Sequence, residues 1–151
     1  MNKSNSLGIL VGVALIIAGV AYWYLAQSTP VSAPVAATPA SKDDLIVVNT
    51  PLPNTEIESP LLIQGKARGN WYFEASFPVS LYDEAGNQLG IMPVQADGEW
   101  MTTDYVPFSE QFTFATSTTS TGTLVFKKDN ASGLPEHDNE LRIPVRFKTT
   151  K

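Results

Sequence analysis

The chain has 151 residues, 43% of them hydrophobic and 17% charged, with a formal net charge of -5 and no cysteine. That length holds one packed domain once an N-terminal apolar run is set aside. Ten Lys and Arg without a basic tract exclude a nucleic-acid binder, which needs clustered cations to displace counterions from phosphates. The missing thiol excludes disulfides, thiolate metal sites, a Cys nucleophile and a lipidated cysteine.

Residues 1–6 form a short N-terminal stretch containing Lys3, expected to lie in the cytoplasm. Leu7 to Ala26 follows without a charge. At about 1.5 Å per residue, about 20 residues span roughly 30 Å, the thickness of bilayer hydrocarbon. Tyr22, Trp23 and Tyr24 stand where aromatic rings favour the headgroup interface, and they make a poor cleavage context. Residues 7–26 therefore read as an uncleaved transmembrane anchor. Lys3 precedes it and no cation follows until Lys42, so the remainder is expected outside the cell membrane. Residues 27–43, with Pro30, Pro34 and Pro39 among small residues, read as an extended linker.

Residues 44–148 consist of strand and turn signals. The expected strands are Leu45–Val48, Leu61–Ala67, Phe73–Tyr82, Gln88–Ala96, Phe108–Ala115, Thr123–Lys127 and Leu141–Phe147. Trp71, Phe73, Ala75, Phe77, Val79 and Leu81 occupy alternate positions opposite Glu74, Ser76 and Ser80, the period of a half-buried strand. Asp83 to Asn87 is a turn cluster that returns it as a hairpin. Pro93 marks an edge strand or a bulge, because proline cannot donate to the ladder. Leu141, Ile143, Val145 and Phe147 alternate with Arg142, Pro144, Arg146 and Lys148, as in an edge strand protected by charge and proline. No window has a sustained helical period. The pattern predicts an all-β, immunoglobulin-like two-sheet sandwich of about seven strands.

The segments SPLLIQGKARGNWYFEASFPVSLYDEAGNQLG, GEWMTTDYVPFSEQFTF and GTLVFKKDNASGLPEHDNELRIPVRF resemble the immunoglobulin-like domain of bacterial spore germination, a resemblance that covers Asp44 to Phe147. Gly65, Ala67, Gly69 to Glu74, Trp100, Gly122 to Leu124 and Lys128 to Gly133 carry the resemblance. It implies an extracytoplasmic bacterial protein of immunoglobulin-like fold, in a family without assigned chemistry.

Trp71, Phe73 and Trp100 offer an aromatic platform for a sugar or peptide, but Trp71 and Phe73 share the face of Phe77 and read as core. Tyr72, on the opposite face, reads as an exposed contact, and Trp100 joins it as a candidate binding residue. His137 stands alone, with no nucleophile or metal-ligand motif around it, and reads as a loop histidine. Asp129, Glu136, Asp138 and Glu140 lack the spacing of a calcium loop. Asn130, Ala131 and Ser132 match a glycosylation sequon and also a turn, the simpler reading. Arg142, Arg146 and Lys148 form a basic stripe that suits an acidic partner or a wall polymer. No carboxylate pair, nucleophile with its base, or phosphate loop is recognisable, so no catalytic residue, metal or cofactor is expected. The expected function is a membrane-anchored binding module for an envelope protein, with a carbohydrate or cell-wall polymer as the alternative ligand.

Overall fold

The computed structural model describes residues 38–148. The expected membrane segment, residues 7–26, and most of the linker lie outside them. Among the described residues, no helix is long and apolar enough to cross a membrane.

Nine strands follow in chain order: β1 (Ala40–Lys42), β2 (Ile46–Thr50), β3 (Glu56–Ile57), β4 (Leu61–Arg68), β5 (Ser76–Asp83), β6 (Gln88–Gln95), β7 (Tyr105–Phe112), β8 (Thr121–Lys127) and β9 (Glu140–Phe147). They form a four-stranded sheet, β1-β2-β4-β7, and a five-stranded sheet, β3-β9-β8-β5-β6. Every pairing is antiparallel except β3 with β9. Alternate residues of both sheets face inward. Ile46, Val48, Ile63, Phe77, Val79, Leu81, Phe108, Leu124, Phe126 and Ile143 are fully or almost fully buried between them.

All seven expected strands are present. The two additional ones are three and two residues long, too short for a period to register. β1 lies in the expected linker. It pairs with β2 through a turn in which Asp43 and Asp44 both have positive φ, 47° and 56°. β6 is an outer strand of its sheet and contains Pro93, the edge placement of the two expected for that proline. β9 is not an edge strand, because β3 pairs with Arg146 and Phe147. β7 begins at Tyr105 rather than Phe108.

The largest correction concerns residues 71–75. Gly69–Trp71 is a 3-10 turn, and Glu74 and Ala75 adopt positive φ, 49° and 62°, in a tight reversal closed by two hydrogen bonds between Phe73 and Ser76. The strand therefore begins at Ser76, and the alternation of Trp71, Phe73 and Ala75 is not a pleat. Ser80, expected in solvent, is buried at the centre of the outer face of the five-stranded sheet beside Val125, its neighbour on β8.

Candidate functional site: the loop end of the sandwich

Three connections gather at one end of the sandwich: residues 69–75 between β4 and β5, 96–104 between β6 and β7, and 128–139 between β8 and β9. Strand register puts them there, since Arg68 pairs with Tyr105, Ser76 with Gln95 and Lys127 with Glu140. Backbone hydrogen bonds then hold the loops together. Gly69 N–H donates to Asp104 O (3.2 Å), Ala96 N–H to Ala75 O (2.8 Å) and Asp129 N–H to Trp71 O (3.0 Å). The first two loops pack so closely that a Cβ at Gly69 would collide with the carbonyl oxygens of Trp100 and Thr102. Glycine is required by that approach.

The base of this end is aromatic. Trp71 is fully buried, and its indole Nε1 has no hydrogen-bond partner. Tyr72 bridges the two sheets. Its ring meets Phe77 edge-on at 5.1 Å, and its hydroxyl donates to Val106 O at 2.9 Å. Burial pushes the Tyr72 hydroxyl well above its ordinary pKa. Trp100 is half-buried against the same core.

Above that base, each loop projects one large apolar side chain: Phe73 is 42% exposed, Met101 75% and Leu134 49%. Only Leu62 and Ile91 join them as large exposed hydrophobics among the described residues. Charge around the three is one-sided. Glu74, Asp97, Glu99, Asp104, Asp129, Glu136 and Asp138 stand in these loops, with Lys128 their only lysine or arginine. Exposed apolar side chains among acidic groups at one end of a fold suit a protein-binding surface.

A polar network borders this end on the four-stranded sheet. Asp44 Oδ2 meets Arg68 Nη2 at 2.6 Å, and Asp44 Oδ1 accepts from Tyr105 Oη at 2.7 Å. The guanidinium also lies over the Tyr105 ring, 4.0 Å from its centroid. The Tyr105 hydroxyl, then Arg68, holds the Asp44 carboxyl below the ordinary range, while the Asp44 hydrogen bond raises both Tyr105 and Arg68.

The structure does not unite the residues singled out in the sequence. Tyr72, expected as an exposed contact, is only 3% exposed. It and Trp71 lie where the chain crosses from one sheet to the other, so successive side chains can both turn inward. Trp100 lies in the loop end, as a supporting residue. Arg142, Arg146 and Lys148 run along β9 with exposed side chains, and each is engaged. Arg142 pairs with Glu140 (2.6 Å), Arg146 Nε donates to Asn54 O (3.0 Å), and Lys148 pairs with Glu58 (2.7 Å).

His137 is exposed in a short 3-10 turn, Pro135–His137. Among the described residues, no three His, Cys, Asp or Glu side chains gather as metal ligands. Asn130 serves the turn. Its Oδ1 accepts from Ser132 N–H and Oγ, and its Nδ2 donates to Leu134 O and Asp138 Oδ1. Met101 and Leu134 escape sequence reasoning because they share no periodicity, and Phe73 because its alternation reads as core; only topology brings their three loops to one end.

The model of a protein family, the immunoglobulin-like domain of bacterial spore germination, matches residues 45–133. The match starts just before β2 and ends in the loop after β8, so it includes the first two connections of the loop end and residues 128–133 of the third, stopping short of Leu134. No curated protein and no solved structure matches the chain.

Proposed function

Because the chain belongs to the family of immunoglobulin-like domains of bacterial spore germination, we propose that it is a non-catalytic binding module, anchored in the cell membrane by residues 7–26, that docks an envelope protein at its loop end. The carrying observation is one exposed apolar side chain on each of three hydrogen-bonded loops within an acidic surround. Such loops present their side chains with little ordering left to occur on binding. The fitting partner surface is apolar at its centre and basic at its rim.

The test is chemical cross-linking and capture from detergent-solubilised envelope, using the full chain as bait. A Met101→Ser/Leu134→Ser variant should lose a specific captured protein by at least about tenfold, the effect of withdrawing two apolar contacts. Raising salt should weaken capture by screening the acidic rim. Undiminished capture by the variant would remove the loop end as the docking surface.

A further inference from the structure

We propose that the outer face of the five-stranded sheet is a self-association surface, on which a second copy of this chain packs face to face about a two-fold axis running across the strands. This surface is separate from the loop end. Strand register lays it out in rows: Lys127 beside Glu140, Val125 beside Ser80 and Arg142, Thr123 beside Tyr82 and Pro144, and Thr121 beside Arg146. Glu84 completes the last row, its N–H donating to Thr121 O at 3.1 Å.

The two middle rows are uncharged except for Arg142. At their β6 border, opposite Ser80, Ile91 is 61% exposed, the highest value among the large hydrophobics of the two sheets. Ser80 and Val125 point away from the core yet are buried, at the floor of a depression of about 580 Å³ bordered by Tyr82, Ile91 and Arg142. β1 lies beside the β9 edge, where Ser41 to Asp43 share a cleft with Glu140 and Arg142; Lys127, Arg142, Pro144 and Arg146 remain exposed.

Charge identifies the occupant. One end row carries Lys127 and Glu140, and the other carries Glu84 and Arg146, opposite signs at corresponding places. An axis crossing the strands between the middle rows exchanges the two ends. It sets Lys127 of each copy against Glu84 of the other and Glu140 against Arg146, while Tyr82 meets the small Ser80 and Val125 meets Thr123. A face that complements itself in this way is what an isologous dimer requires. Lys127, Glu84 and Arg146 have no ion pair among the described residues, and Glu140 pairs only with its neighbour Arg142. The acidic loop end, by contrast, repels its own copy.

Area sets the strength. Four strands spaced about 4.8 Å apart, each contributing about seven residues of about 3.3 Å, make a face of roughly 19 by 23 Å. Two copies then cover on the order of 900 Å², near the lower limit of specific interfaces, so the dimer is weak and concentration-dependent.

The test uses the full chain in detergent. Because the sequence has no cysteine, engineered ones report proximity without background. Glu140→Cys and Arg146→Cys chains, mixed and treated with a bismaleimide of about 10 Å span, the spacing of stacked sheets, should cross-link at least about tenfold more than either alone, since like residues lie about 20 Å apart across the axis. In sedimentation equilibrium, Glu140→Arg should weaken the dimer by about fivefold or more, and adding Arg146→Glu should restore it by reversing the pair. Equal cross-linking in mixed and single samples, or a double variant no better than Glu140→Arg, overturns the proposal. Cross-linking to a different envelope protein in place of a second copy overturns it too. Met101→Ser/Leu134→Ser should dimerise normally, so failure at the loop end is read separately.

Discussion

Tyr72 carries much of the architecture of the loop end in one side chain. Its ring packs on Phe77 of one sheet while its hydroxyl reaches Val106 of the other. Tyr72→Phe should cost about 1 kcal/mol, the net worth of one hydrogen bond, whereas Tyr72→Ala should cost about 3–5 kcal/mol by opening a cavity. Equilibrium denaturation of the two variants checks this, and an Ala variant no worse than Phe would place the ring outside the core. Three residues later, Ala75 holds φ at +62° without the glycine such a turn favours. Ala75→Gly should stabilise the head by about 1 kcal/mol, because a non-glycine left-handed residue is strained by about that amount. An unchanged denaturation midpoint would mean the surrounding contacts absorb the strain.

At the scale of elements, the β1–β2 hairpin is short and depends on its polar network. Asp44 closes the turn and accepts hydrogen bonds from both Tyr105 and Arg68. Its folded pKa is lowered, so the linked stability is present above the unfolded carboxyl value and is lost as pH falls through the folded value. Tyr105 is raised, so its contribution is complete below its unfolded value and is lost as pH rises through the folded one. Asp44→Asn should therefore flatten the acid limb of a stability–pH profile while leaving the neutral-pH fold intact. An acid limb of unchanged slope would assign it to other carboxylates. The β9 stripe behaves differently: Arg142 and Lys148 are paired on exposed positions, where ion pairs contribute little to stability.

At the scale of the molecule, the two sheets enclose one continuous core, and the three loops close one end of it. A membrane anchor at residues 7–26 implies that the full-length protein sediments with membranes, resists extraction by high salt and alkaline carbonate, and is released by detergent. Protease added to intact protoplasts should then remove residues 44–148. Release of the head by salt alone, or its protection in intact protoplasts, would contradict the proposed topology.

Period-two alternation determined the principal strands, because a half-buried sheet demands it of every residue in the run. Phe77, Val79 and Leu81 on β5, and Leu141, Ile143, Val145 and Phe147 on β9, are buried as their spacing requires. Pro93 narrowed its strand to an edge or a bulge, and strand order decided for the edge, where its missing N–H is tolerated. The same rule failed at Phe73, where alternation continued by coincidence into a tight reversal at Glu74 and Ala75, residues without a turn signature, while Trp71 is buried as its spacing required but on a 3-10 turn rather than a strand. Whether Tyr72 or Phe73 reached solvent depended on where the chain crossed between sheets. The placement of Phe73, Met101 and Leu134 at one end depended on strand order, and so did the covering of the β9 edge by β3. Local sequence determines which face of a strand is dry because that preference belongs to each residue and its immediate neighbours. Only tertiary structure decides which loops converge and which edges remain open, because those are properties of pairings between segments far apart in the chain.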